Sequence, residues 1–431
     1  MSKAKTGLLA IMVIISCVQA YLIMSGQHLS GPSQPGEAVW FGPEPALGEV
    51  CLPGRIYIAL NPEEVLLVET FSDTYSALVS ALGQADYAGA EWFAVELIQH
   101  REFAPGILFK FDYPVSKKLL TSLLPMFYET DFPFASIDCI FVPKEMGPVQ
   151  FINTAERQAW QFQPDLSWHV FAAAVAEPGD ALEIRWTPLP ASDSYSVAAG
   201  VYDIAGPALL AVPDWESEEI DFEALVRSFY LGPEVIEESD GTEIYTDGVR
   251  ALRIYPHGAV EYTLVSAENG QGQLTQADLL KMSLSFIAGH GGWPGRMLPT
   301  ELENSPAKKR VKFADYAAGL PVAAEDTGVA VEIDGLTVSR YQRKLIRAKP
   351  GSVSEHVEVR PFAWLISQPT TKIHQLFVNQ DARIHIADLA LVYYWHMDTL
   401  IPAWKVTLGD RIVYAGAADG RVLAARPLRG N

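Results

Sequence analysis

The run from Gly7 to Met24, GLLAIMVIISCVQAYLIM, constrains this 431-residue chain more than any other stretch, because it carries no charge from end to end. Coiled as an α-helix it would extend roughly 27 Å, close to the ~30 Å hydrocarbon core of a bilayer, with Tyr21 near one interface. Lys3 and Lys5 precede the run, and no Lys or Arg follows until Arg55. The bias of basic residues towards the cytoplasmic side therefore places the N-terminus inside and everything after Gly26 outside. Two processing readings compete with an uncleaved anchor. Ile14-Ile15-Ser16-Cys17 has the shape of a lipoprotein box, and Val18-Gln19-Ala20 resembles a signal-peptidase site. Cleavage at Cys17 would leave the apolar stretch Val18 to Met24 at the mature terminus, so the anchor reading is preferred. The membrane is thus the first expected partner.

Beyond the anchor, the chain has ample material for buried cores: 49% of all residues are hydrophobic, including 10 Trp, 17 Tyr and 19 Phe. That is too much for one ordinary domain, and two or three are expected. The 32 basic and 52 acidic side chains give a net charge of −20, which repels nucleic acid and anionic headgroups. No nucleic-acid partner is expected. Cys51 and Cys139 are the cysteines of the exported part, and the spacing neither demands nor forbids a disulfide between them.

The pattern along the chain is α+β. Residues 26–54 are dense in Gly and Pro and lack periodicity, the composition of an extended spacer. Strand-like RIYIAL and EVLLVETF follow, then a helix from SDTYSALVSALGQA capped by Ser72 or Asp73, the strand GILFKFDYPV, a helix from VSKKLLTSLLPMF ended near Pro125, and the strand SIDCIFVP. After short strands at LEIRW and VAAGVYDI, a second unit opens near Pro213 with the helix DFEALVRSFYL. It continues as an antiparallel meander turning at Asp247-Gly248 and His257-Gly258, and then as a helix capped by Thr275 with Leu279, Met282, Leu284 and Phe286 towards the core. A weaker repeat of helix then strands starts at Pro361. The expected organisation is a cytoplasmic tail at 1–6, an anchor at 7–25, a spacer at 26–54, and α+β domains with antiparallel sheets at 55–212, 213–330 and 331–431.

Catalytic motifs are absent from the sequence: there is no HExxH, GxSxG, P-loop or dinucleotide glycine fingerprint. Ser305-Pro306-Ala307-Lys308 matches the SxxK of penicillin-recognising enzymes, but it lies in a Pro/Lys-rich loop rather than at a helix start. The nine His are scattered without ligand spacing, so no metal or cofactor is expected. His290-Gly291-Gly292-Trp293 is the most distinctive short string: a helix C-cap, with its glycines taking positive φ and Trp293 folding back on the core, is preferred over a ligand or partner contact. The carboxylates Glu216, Glu218, Glu219 and Asp221, and likewise Glu234, Glu237, Glu238 and Asp240, read as solvated loop or helix-start residues.

Five strings in order give the chain a resemblance that covers most of its exported part. They are GILFKFDYPVSKKLL with FASIDCIFV, VRSFYLGPEVIEESDGTEIYTDGVRALRIYPHGAVEY, LLKMSLSFIAGHGGWPG with GLPV, LIPAWKVTLGDRIVYAGAADGRVL, and the one-helix N-terminus. Together they resemble the YycH regulatory protein family and its relative YycI. The closing strands around Ala418-Asp419-Gly420 also resemble YycI/PepSY-type modules. The resemblance implies a single-pass protein with a multi-domain extracytoplasmic body that modulates the sensor histidine kinase of the WalK/WalR (YycG/YycF) cell-wall system, with a YycI-like paralogue as a further partner. It implies neither an enzyme nor a cofactor. With an expected tail of six residues, an inward message would pass through helix contacts in the bilayer. Ser16, Gln19, Ala20 and Ile23 fall on one face at i, i+3, i+4 and i+7 and are the candidate partner-helix contacts. A surface-anchored binding protein for a wall or small-molecule ligand is the alternative from a different class, and an envelope hydrolase the third.

Overall fold

The computed structural model describes residues 39–61, 63–84, 92–96, 105–124, 132–144, 147–162, 171–172, 175, 181–264, 273–324, 327–344, 346–349, 352–378, 383–409 and 411–427. Among these, two large sheets carry an α+β body. The first holds nine strands, all antiparallel, in the order Tyr202–Ile204, Ala181–Pro188, Glu64–Val68, Arg55–Asn61, Gly106–Ser116, Ser136–Pro143, Val149–Asn153, Gln158–Phe162, Phe93–Glu96. Successive side chains of a strand point to opposite faces, and here both faces are covered. Ile56 and Ile58 face the helices Asp73–Gly83 and Lys117–Leu123, whereas Tyr57 and Ala59 face the C-terminal strands. This explains the near-continuous apolar reading of RIYIAL and GILFKF, which a sheet wet on one side would not show. Ser72 accepts from the Tyr75 amide and so caps the first of those helices, as its position suggests.

The second sheet runs through fourteen strands. Its first half is an antiparallel meander of Glu234–Glu237, Glu243–Thr246, Arg250–Ile254 and Val260–Leu264, extended through Thr337–Lys344, Gly328–Asp334 and Lys309–Ala317. Gly248 and Gly258, at φ +86° and +81°, make the two turns legible in the sequence. The long helix Gln276–Gly289 covers this half, starting in a Thr275/Asp278 capping box and burying Leu279, Leu280, Leu284 and Ile287. Met282 and Phe286 are half-buried against the same core. The second half is the meander Ile384–His396, Thr399–Leu408, Arg411–Gly416 and Val422–Pro427. The halves are joined by a parallel pairing, Val322 opposite Tyr393.

Two features of the pairing cross the expected domain limits. The strand Gly328–Asp334 runs through residue 330 and is hydrogen-bonded on both sides. The ribbons Ala208–Val212 with Glu355–Val359, and Trp215–Ser217 with Ile346–Ala348, tie residues near 212 to strands far along the chain. The spacer differs as well. From Phe41 onward it is docked rather than extended, with a short helix Leu47–Val50 and with Val50 and Cys51 buried. Gly48 permits close backbone approach: a Cβ there would lie 2.9 Å from the Ser122 carbonyl oxygen.

Candidate functional site

Among the described residues, two of the clusters of buried charge and one glycine loop gather chemically capable side chains. The first cluster joins the sheets. Arg55 opens a central strand of the nine-stranded sheet, and Lys110 and Asp112 lie on the neighbouring strand Gly106–Ser116. Asp388 comes from the strand Ile384–His396, on the layer packed against that sheet. The Arg55 guanidinium donates to Asp112 Oδ1 at 2.8 Å, to Asp388 at 2.7 and 3.1 Å, and to the Leu389 carbonyl at 3.0 Å. Lys110 Nζ lies 2.6 Å from Asp388 Oδ1 and donates to the Gly200 carbonyl at 3.1 Å. Burial alone would raise the Asp388 pKa, yet the two cations hold the carboxyl well below the usual range. With two cations against two carboxylates the cluster is charge-balanced, although the buried Arg55 Nε has no hydrogen-bond partner. Its chemistry is that of a tie between layers.

The second cluster surrounds His290-Gly291-Gly292-Trp293. His290 ends the long helix, as the glycines behind it foretold, and Gly291 and Gly292 adopt φ +100° and +78°. The imidazole stacks on Phe229 at 3.9 Å between centroids and sits 4.4 Å from Phe286, with Nδ1 2.9 Å from Ser228 Oγ. Burial pushes its pKa down to about 4, so the ring is neutral near pH 7. Ser228 also donates to the Leu225 carbonyl at 2.6 Å, and no carboxylate hydrogen-bonds to the ring among the described residues, so this Ser/His pair lacks the third member that orients a nucleophile. Trp293 folds back edge-on to Phe313 at 5.3 Å. Arg343 donates to the Gly292 carbonyl at 2.7 Å and, through Nε and Nη2, to both Glu218 oxygens at 2.9 Å. Arg347 adds bonds to Glu218 at 2.7 Å and to the Pro294 carbonyl at 3.0 Å. Glu218 therefore corrects the reading of its cluster as solvated: it is the carboxylate shared by buried Arg343, which binds it bidentately, and half-exposed Arg347. Asp221 does serve as a helix cap, accepting from the Ala224 amide.

The bare Cα of Gly292 is where the docked N-terminal segment meets this loop. A Cβ there would lie 2.6 Å from the Phe41 carbonyl oxygen, so glycine is required by contact as well as by conformation. Nearby, a surface groove of about 440 Å³ runs between Glu44–Leu47 and the Lys281–Ser285 stretch of the long helix. Ser305 closes a tight turn with Lys308, its hydroxyl donating to the Lys308 carbonyl at 3.2 Å, and has no nucleophile's surroundings. Cys51 and Cys139 are both free and buried in different cores, on opposite faces of the nine-stranded sheet. Among the described residues no three His, Cys, Asp or Glu side chains converge on a metal position. Ser16, Gln19, Ala20 and Ile23 lie outside the described residues, as does the whole apolar run. No helix among the described residues is long and apolar enough to cross a membrane. Sequence reasoning missed Asp388 and misread Glu218: they find their arginines 333 and 125 residues away, a pairing no local pattern encodes.

Fold and site together define a class: a large α+β body of two antiparallel-rich sheets, fastened by buried ion pairs. No family model matches the sequence, and no curated protein matches it. Among solved structures the fold is that of YycH from Bacillus subtilis, similar at a TM-score of 0.63 and 12% identity over 86% of this chain and 98% of that one. An uncharacterized protein from Eubacterium rectale aligns at 0.34 and 11% identity over 57% of this chain and 95% of that one. The Bacillus megaterium YpeB C-terminal domain aligns at 0.26 and 10% identity over 46% and 90%.

Proposed function

We propose that this chain is a membrane-anchored extracytoplasmic accessory protein that regulates a sensor histidine kinase of the WalK (YycG) type, acting by contact rather than by catalysis. The observation that carries the reading is the YycH fold, shared along nearly the whole length of that protein. Two further facts support it. The apolar run Gly7–Met24, preceded by Lys3 and Lys5 and followed by no basic residue until Arg55, has the length and charge bias of an anchor with the body outside. The buried Arg55, Lys110, Asp112 and Asp388 balance one another's charge, which suits a contact scaffold better than a site held ready for a substrate. Within the bilayer, Ser16, Gln19, Ala20 and Ile23 form the face offered to kinase helices, with Gln19 the interhelical hydrogen-bonding group. A YycI-like paralogue is a further partner in this reading. Affinity purification of the full-length chain from solubilised membranes tests it: the kinase should be recovered, and its repeated absence under conditions that recover other membrane complexes would sink the proposal.

A further inference from the structure

The strand Glu234–Glu237 ends the fourteen-stranded sheet, and each of its four residues is exposed. The far end of the same sheet, Val422–Pro427, is mostly half-buried, and the end strand Tyr202–Ile204 of the other sheet is buried throughout. A sheet edge presents unpaired backbone donors and acceptors, and this one also presents apolar side chains on both faces, Val235 at 59% and Ile236 at 51% exposed, with Leu231 at 56% just before them. The strand is held in place. It pairs in register with Glu243–Thr246, its hairpin closes through the Glu238 amide on the Thr242 carbonyl at 2.8 Å, and Thr242 is fully buried.

The charge around this edge is one-sided. From Leu231 to Thr246 there are five carboxylates, Glu234, Glu237, Glu238, Asp240 and Glu243, and no basic residue. The strand itself reads acid, apolar, apolar, acid. A second copy of this chain, pairing antiparallel about the centre of Val235-Ile236, would set Glu234 against Glu237 at both ends, and like charges directly opposite one another repel. The same pattern is complemented by a strand that reads basic, apolar, apolar, basic. We infer that the Glu234–Glu237 edge is a docking site for an extended, basic segment of a partner protein, which adds to the sheet as a further strand. Backbone bonding supplies the attachment, Val235 and Ile236 the apolar contacts, and the two terminal carboxylates reject self-association while selecting Lys or Arg. This inference stands on the edge strand alone and is independent of the kinase reading.

Full-length protein in phosphatidylcholine nanodiscs, titrated with a fluorescent peptide of sequence Thr-Lys-Val-Val-Lys-Thr, tests it against the peptide with both Lys replaced by Glu and against empty nanodiscs. The basic peptide should bind saturably and about tenfold tighter than the acidic one, losing affinity as salt rises, and should slow amide exchange at 234–237. Val235→Pro, which removes a strand donor at an exposed position, should abolish binding. Glu234→Lys with Glu237→Lys should reverse the preference, a result that no loss of folding can mimic. Equal binding of the two peptides, undiminished binding to Val235→Pro, or no reversal in the double variant would overturn the proposal. So would concentration-dependent self-association that Val235→Pro abolishes, since the occupant would then be a second copy.

Discussion

Asp388 pairs with two nearly inaccessible cations at once, Arg55 and Lys110, and shares their neutralisation with Asp112. Removing one partner from a buried pair leaves uncompensated charge, at a cost of about 3–5 kcal/mol. Asp388→Ala should therefore lower the urea midpoint steeply at unchanged m-value, whereas a shift no larger than a surface variant's would show that the tie contributes nothing. His290 makes a second prediction, in pH. Its folded pKa, about 4, lies below the unfolded value of about 6.5, so the native state prefers the neutral ring. The contribution is fully present above about pH 6.5 and is lost as pH falls towards 4, by up to roughly 3 kcal/mol. His290→Phe keeps the stack on Phe229 and cannot titrate. The stability of wild type should fall relative to this variant across that window, and parallel curves would contradict the assignment.

At the scale of elements, local rules were legible and long-range partners were not. Ser72, Asp221 and Thr275 sit before apolar periodicity, and each caps its helix in the structure. The Asp247-Gly248 and His257-Gly258 turns were equally plain, because positive φ favours glycine. The docked segment 41–54 was missed: Gly and Pro serve an extended spacer and a closely packed strap alike, and the choice is made by surfaces far along the chain. Met297–Asn304 and the helix Lys372–Val378 were missed too; Pro299 and polar Thr300, Glu301 and Glu303 obscure the first, and its seven residues are too few for periodicity to declare the second. The strap's docking is testable at Gly292, where alanine meets both a positive φ and the Phe41 carbonyl. Gly295→Ala is the control, because Gly295 has φ +97° but nothing within 4 Å of its would-be Cβ. Gly292→Ala should cost roughly 1–3 kcal/mol and expose 41–51 to protease, while Gly295→Ala should bring the strain without the cleavage. Equal cleavage in both variants would show that Phe41 does not depend on the glycine.

Over the whole molecule, the order of five short strings pointed to the YycH fold, although identity with the Bacillus subtilis protein is 12%. Residue identity decays faster than the alternation, caps and turns that specify strands and helices, which is why order survived where sequence comparison found no match. What the sequence left open was the joining of units. Strand Gly328–Asp334 and the ribbon Ala208–Val212 with Glu355–Val359 are distributed across limits drawn from composition, and the Arg55/Lys110/Asp112/Asp388 tie exists only once the layers stack. A body fastened in this way is suited to carrying a change at one surface to another as a rigid unit, and at the membrane the proposed contact is Gln19 and its face. The most direct test co-reconstitutes the purified kinase with the full-length chain in nanodiscs and measures both association and autophosphorylation. Wild type should bind and change the rate, Gln19→Leu should weaken association by up to about tenfold, on the order of 1 kcal/mol, and Val13→Leu on another face should not. A kinase that neither binds the wild-type chain nor changes its autophosphorylation rate in its presence would contradict it.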